Sequence, residues 1–463
     1  MSDATNETKD LDLGSLAGFH GTLIQRNDAA YDAARRVWNG EIDRQPLLIA
    51  RCTSSEDVAR ALRFAADQQL PLAVRSGGHS SAGHSTCDDG LVIDLSPLKE
   101  IELDVARRTV RAGAGLLWKE LLAATLEAGY AIPSGTISTV GVGGLTLGGG
   151  IGWLGRKYGL TIDSLLGAEI VTPDGSIRWA SASEHPDLFW AIRGGGGNFG
   201  VVTSFEFHLH PVNMVYGGLI AFPAERLSDL LRFHREAAAS APEELTTQLL
   251  RLELPPAPFV PAELHHRSAV ALGVCYCGNP DDGAKVIQPW LDEFEPLMNL
   301  AGPMPYRVLA SMIDDAAPAG MFEDLRGGFV TELSDDLIDT LVAVTADLPP
   351  MPAHLEIQQL GGAIARIDAS QTAYSHRDKP YHVVLISGGV ERAAADQSAK
   401  WLERAWPMLE PHISGVYVNF MGHHEASERI ATAYSPETLA RLHALKQRYD
   451  PNNLLAHNAN IAP

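Results

Sequence analysis

Apolar and polar positions follow different periods in different parts of this chain, and the changes divide it. In the stretch TSSEDVARALRFAADQ, Val58, Leu62 and Ala65 recur on one helical face, and Thr53 stands three residues before Glu56, the spacing of a capping box. The pattern predicts a helix that begins at Thr53 and ends near Gln69. Apolar runs flank it: PLLIARC before, PLAVR and GLVIDLS after, while RTVRAGAG leads into a second helical stretch, LLWKELLAATLEAG. This is β-α-β alternation on a small scale. From Ala168 the period shortens to that of strands. AEIVTPDGSIRWAS reads as a hairpin about a Pro-Asp-Gly turn, and GVVTSFEFHLHPV as a half-buried strand.

A linker is expected near Pro211. Beyond it, the strands GGLIAF, SAVALGVCYC and YHVVLIS precede helices around AERLSDLLRFHREAAA, DDGAKVIQPWLDEF and RAAADQSAKWLERAWPML. That order predicts one antiparallel sheet with helices on one face. The last stretch, from GVYVNFMG to the C-terminus, carries too little apolar material to fold alone and is expected to return to the first domain. The divisions are 1–210, 211–414 and 415–463.

Charge and cysteine content narrow the partners. The 463 residues carry a formal net charge of −21, which opposes phosphate backbones and anionic membranes alike. Small molecules are the expected partners. Met1 to Asp12 lacks the basic start and apolar run of a secretory signal, so a cytoplasmic location is expected. Of four cysteines, Cys275 and Cys277 sit two apart with no second pair to complete a zinc site, and are read as buried thiols. Ala128 to Gly155 holds no charge, yet its seven glycines from Gly141 to Gly152 argue against a membrane span.

The chemistry concentrates around glycine. In VRSGGHSSAGHST, a strand ends in Gly77-Gly78 and presents His79 beside bare backbone. A metal site shared with His84, a general base, and a ring bonded to a cofactor all suit that placement, although no third metal ligand lies near in sequence. Two segments match G-x-G-x-x-G, GIGWLG from Gly150 and GGGNFG from Gly195. Neither has both the preceding strand and the following helix that a Rossmann dinucleotide site needs. In GTISTVGVGGLTLGGGIG, glycines beside Thr136, Ser138 and Thr139 instead suit a loop whose backbone approaches a pyrophosphate or a flat ring.

Five stretches, RSGGHS, IPSGTISTVGVGGLTLGGGIGWLGRKYGLTIDSLL, LFWAIRGGGGNFGVVTSFEFHLHPV, YVNF and YDPNNLLAHNANI, together resemble the berberine-bridge-enzyme-like FAD oxidoreductases of the vanillyl-alcohol-oxidase superfamily. The resemblance implies an α+β protein. Its PCMH-type FAD-binding domain, roughly residues 40–213, would consist of two α+β subdomains completed by the tail. An antiparallel, helix-covered substrate domain would lie over the flavin. It also implies that His79 bonds to the 8α carbon of the flavin. Ile137 stands where many relatives carry a second linking cysteine, so a single link is expected.

By the same resemblance the flavin is held by Arg75, Ser76, Gly77, Gly78 and Ser80, and by Gly135, Thr136, Ser138, Thr139, Val140, Gly141, Val142, Gly143 and Gly144. Gly148, Gly149, Gly150, Gly152, Val201, Asn458 and Asn460 complete that set. Arg75 reads either as a stabiliser of negative charge or as a surface salt bridge. Gly77 and Gly78 would let the flavin approach. Val140 favours access of oxygen to the flavin, or else is simply core. Tyr417 and Asn419, two apart on an expected strand, would share a face, with Tyr417 the base for substrate oxidation or an aromatic core residue. Gln358, Tyr374 and His376 are weaker candidates, as pocket wall or structural polar groups. His423 and His424 are assigned to a loop or solvent, and Tyr434 to packing of the terminal helix. The expected activity is oxidation of an alcohol or amine-type carbon of a small organic molecule by hydride transfer to flavin N5, with O2 giving H2O2. A dehydrogenase using another acceptor and a non-catalytic flavin-binding module are the alternatives. The resemblance selects neither a substrate nor an oligomeric state.

Overall fold

A computed structural model describes residues 11–463 apart from 424–426. Most of the acidic N-terminus and His424 therefore lie outside the described residues. The described residues form three sheets. The first orders Thr22–Gln25, Leu48–Arg51, Leu91–Asp94 and Leu72–Arg75, antiparallel at the first pair and parallel thereafter. Helix Ser55–Asp67 is the crossover between two of its strands and buries Val58, Leu62 and Ala65, the face its spacing indicates. Its cap lies one residue later than the sequence suggests. Ser54 Oγ accepts from the Asp57 N–H at 3.2 Å, while Thr53 Oγ1 donates to Asp57 Oδ2 at 2.8 Å. The acid at position 57, not Glu56, closes this helix end.

The second sheet is antiparallel and runs Ile101–Asp104, Thr109–Gly113, Val201–His208, Leu165–Val171, Ile177–Ser181. One apolar core joins both sheets to the C-terminal segment: Ile93 of the first sheet and Phe205 of the second share a cluster with Leu442 and Ile461. A buried ion pair fixes that return. Lys446 Nζ donates to Asp450 Oδ2 at 2.7 Å and to the carbonyls of Asn198 at 3.0 Å and Leu455 at 3.1 Å, so every proton of the ammonium has an acceptor.

The third sheet has eight strands, all antiparallel, between Met214 and Gly389. Helices Leu227–Ser240, Gly283–Glu293, Asp335–Val344 and Arg392–Leu409 pack Leu231, Trp290, Leu341 and Trp401 into its core. The helix Asp335–Val344 is absent from the sequence reading, as is Val142–Gly148, whose glycines cost helix propensity of about 1 kcal/mol each. Tyr417 and Asn419 do not sit on a strand. Val418–Phe420 is a single 3-10 turn, which still brings the two side chains together. No helix among the described residues is long and apolar enough to cross a membrane.

Candidate active site

A cavity of about 760 Å³ opens between the glycine-rich loops, one face of the third sheet and the C-terminal segment. Ser76, Gly77, Gly78, His79 and Ser80 line it from the loop after the strand Leu72–Arg75. Gly135, Thr136, Ile137, Val140 and Gly141 line it from a second loop, followed by Gly143, Gly144 and Gly148 on the helix Val142–Gly148. Val201, Asn458, Gln358, Tyr417 and Asn419 also line it.

The two loops touch through missing side chains. A Cβ on Gly77 would lie 2.4 Å from Gly141 N, and one on Gly141 would lie 2.3 Å from Gly77 N. Gly77 therefore serves loop-to-loop packing as well as lining the cavity. Gly144 and Gly197 differ: a Cβ there would meet no atom within 4 Å, although both line the cavity. These are the positions where bare backbone faces open space large enough for a flat ligand.

His79 is held on two sides. Its ring stacks on Trp38 with centroids 4.4 Å apart and planes 19° apart, and its Nε2 lies 3.2 Å from Thr139 Oγ1. Burial pushes its pKa down to about 4, so the imidazole is neutral near pH 7. His84 is likewise pushed down to about 4 by burial, with His457 and Arg44 adding to the shift, and packs edge-on to His457 at 5.9 Å.

Several candidates stand behind the lining, whereas Tyr434 and Asn458 are part of it. Arg75 is buried, donating to Asp94 Oδ2 at 2.8 Å and to the Ala34 carbonyl at 2.6 Å, which corrects the surface salt bridge read from sequence. Burial opposes the charge of Asp94, but Arg75 overrides it and holds the carboxyl below its ordinary range. Ser138 gives its N–H and hydroxyl to Asp314 at 2.8 and 2.5 Å. Val142 is fully buried, and Gly152 packs so closely on the Ser134 carbonyl that no Cβ fits. Gly149 abuts the Tyr374 ring. Tyr374 Oη and the Oδ1 atoms of Asn458 and Asn460 are buried without a hydrogen-bond partner. His376 Nε2 pairs with the Thr432 carbonyl at 2.9 Å, away from the cavity lining. Tyr434 reaches the Gly194 carbonyl at 3.3 Å.

Tyr417 ties the C-terminal segment to the glycine-rich stretch. Its Oη accepts from Gly150 N–H at 2.8 Å and from Asn419 Nδ2 at 3.0 Å, so both lone pairs are used. Burial raises its pKa, and the N–H groups of Gly150, Asn419 and Ile151 pull against that rise without cancelling it. No arginine is among these influences.

The cavity residues not singled out from sequence include Trp38, Glu323, His354 and Glu356. The alternation in HLEIQQ would have found two of them, since His354 and Glu356 share a strand face with Gln358. Gln358 Nε2 donates to Glu356 Oε1 at 2.5 Å, and Glu356 Oε2 lies 3.8 Å from His354 Nε2. Glu323 accepts from Ser81 Oγ at 2.7 Å, and burial pushes its carboxyl up to about 7. The described lining contains no lysine and no arginine, only the carboxyls of Asp315, Glu323 and Glu356 and neutral groups or histidines.

Comparison with known proteins bears on this geometry. Residues 46–181 match the family described as an FAD binding domain, and residues 416–462 match berberine and berberine like. An FAD-linked oxidoreductase of Dictyostelium discoideum is 32% identical over 448 residues, spanning 96% of this chain and 95% of that protein. The (R)-6-hydroxynicotine oxidase of Paenarthrobacter nicotinovorans is 31% identical over 476 residues, spanning 97% and 98%. The crystal structure of 6-hydroxy-D-nicotine oxidase from Arthrobacter nicotinovorans superposes with a TM-score of 0.86 at 28% identity, covering 96% of this chain and 98% of that one. A glucooligosaccharide oxidase from Acremonium strictum shares the fold, with a TM-score of 0.87 at 22% identity and 99% of each chain covered. The three sheets and the returning C-terminal segment thus share the fold of these oxidases, and this chain belongs to the berberine-bridge-enzyme-like FAD-linked oxidoreductases.

Proposed function

We propose that this enzyme is an oxidase of an alcohol or amine-type carbon in a small, largely apolar organic molecule, acting in the cytoplasm with a single covalent flavin link through His79. The observation that carries the reading is the pairing, in one cavity, of a neutral His79 with the Tyr417 hydroxyl cradled by N–H donors.

The residues present fit FAD. Gly144 and Gly197 leave open space where side chains would intrude, and the buried Oδ1 atoms of Asn458 and Asn460 are free to accept from a ligand's donors. The neutral nitrogen of His79 has the lone pair that bonding to an electrophilic carbon requires. Ile137 offers no sulfur for a second bond, and all four cysteines are buried elsewhere. When bound, FAD would accept a hydride at N5 and be reoxidised by O2 with release of H2O2.

The chain supplies proton handling and selection. Tyr417 would take the proton from the substrate's hydroxyl or ammonium group, with Gly150 and Asn419 stabilising the phenolate. A lining with no lysine or arginine among the described residues offers no counter-charge to an anionic substrate, while Leu219, Leu250 and Ile386 supply apolar wall. Val140 on the lining supports oxygen access, as does the oxidase activity named for the 31% identical relative. The division into flavin domain 1–210, substrate domain 211–414 and returning segment 415–463 suits these roles.

Acid precipitation tests the cofactor reading. Flavin absorbance should remain with the washed pellet of the native protein and leave it in His79→Ala. Peroxide release on screening alcohols and amines then tests the oxidase; flavin reduced by substrate but not reoxidised by O2 would make it a dehydrogenase.

A further inference from the structure

Trp38 precedes every motif that points to flavin, yet its indole lies stacked on the His79 ring, 4.4 Å away and tilted by 19°. Its position is fixed at three polar atoms. The Trp38 N–H donates to the Gly78 carbonyl at 2.9 Å, its carbonyl accepts from Gly320 N–H at 2.8 Å, and its indole Nε1 donates to the Ala317 carbonyl at 3.1 Å. Asn39 beside it is fully buried and bonds to the carbonyls of Ser81 and Glu323 at 3.2 and 2.8 Å. The indole therefore cannot tilt without breaking contacts to both halves of the chain.

Thr139 is fixed as firmly. The carbonyls on either side of it, Ser138 and Val140, accept from the first N–H groups of the helix Trp118–Glu127, at 2.8 Å from Lys119 and 3.0 Å from Trp118. Ser138 is bound besides to Asp314. The same stretch, Asp314 to Gly320, thus anchors both neighbours of the His79 ring.

We propose that Trp38 and Thr139 are positioning residues for flavin attachment, the indole fixing the plane of the His79 imidazole and the hydroxyl fixing its rotation and tautomer. This rests on the His79 linkage proposed above. In the proposed arrangement Nε2–H is the donor and Thr139 Oγ1 the acceptor, which places the lone pair on Nδ1. On attachment a bond forms between Nδ1 and the flavin 8α carbon. The methyl C–H and the imidazole N–H are broken, and their two protons and two electrons are taken up by the flavin ring. Dioxygen then removes them as hydrogen peroxide. Positive charge gathers on the imidazole as the bond forms, and Thr139 Oγ1 accepts from the N–H that bears it. A stacked indole face favours that same cation.

The test follows attachment itself. Each purified protein, with thermal melting as a folding control, is denatured in acid and its pellet flavin divided by total flavin, at intervals after added FAD. Thr139→Val should slow attachment by about tenfold to a hundredfold. Thr139→Ser, which keeps the hydroxyl, should restore it. Trp38→Leu should slow it about threefold to tenfold, and Trp38→Phe less. Attachment at the native rate in both Thr139→Val and Trp38→Leu would overturn the proposal while leaving the His79 link intact. Release of all flavin from the native protein would overturn the link, and the proposal with it.

Discussion

The loop wall and the sheet wall of the cavity use the chain in opposite ways. On the loop wall the backbone itself is the surface: Gly77 and Gly141 interlock where no Cβ fits, and Gly144 leaves the cavity clear. On the sheet wall the backbone is spent on ladder bonds, and alternate side chains such as His354, Glu356 and Gln358 do the facing. A cofactor shared by many enzymes can be held by main-chain atoms that every sequence supplies. A substrate must be selected by side chains, which differ from one enzyme to another.

Kinetics at the meeting of the two walls should show the largest effect. Tyr417→Phe removes the oxygen that Gly150 and Asn419 address, and flavin reduction by substrate should slow by about 10²–10⁴-fold in stopped flow. Reoxidation by O2 should be unchanged. In the native enzyme, reduction should quicken as pH rises through the alkaline range, because burial raises the pKa at which Tyr417 loses its proton. Equal slowing of both half-reactions would show that Tyr417 acts through structure.

Within the loop wall the glycines should separate by role. Gly77→Ala forces a carbon to 2.4 Å from Gly141 N, and should lower stability by about 3 kcal/mol, read as a drop in Tm with loss of bound flavin. Gly144→Ala lies within a helix with nothing near, and should leave Tm unchanged or raise stability by about 0.5–1 kcal/mol, while weakening FAD binding. If both behave alike, the distinction between packing glycines and ligand-facing glycines fails.

The two walls should answer to pH in opposite directions. Glu323, held protonated up to about 7 in the fold, is stabilising relative to its unfolded form at low pH and loses that advantage as pH rises from 4.5 to 7. Glu323→Gln should abolish this loss, and its stability relative to native should grow by about 3 kcal/mol or less between pH 4.5 and 8 in urea titrations. The buried histidines act in the reverse direction. His79, His84 and His210, all pushed down to about 4 chiefly by burial, make folding weaker as pH falls from 6.5 towards 4. His79→Gln should flatten part of that acid limb.

What the sequence determined follows from local physics. The helix Ser55–Asp67, the hairpin of Leu165–Val171 with Ile177–Ser181, and the antiparallel character of the later strands are written in the period of their apolar residues. The glycine-dense motifs announced a backbone-lined ligand loop, and their order along the chain announced the family. Tertiary structure decided matters that involve residues far apart. The stacking of Trp38 on His79 joins two residues of the N-terminal half but depends on Ala317 and Gly320, from the other half of the chain. Glu323 is unremarkable in FEDLRGGFV until Ser81 and the cavity surround it. Arg75 looks like an exposed charge until Asp94, on a neighbouring parallel strand, takes it inside. Tyr417 and Asn419 meet across a single 3-10 turn where the family resemblance implied a strand, since a two-residue spacing does not by itself tell one from the other. Local propensity acts over a few residues, whereas desolvation and long-range hydrogen bonds exist only once the chain has closed on itself.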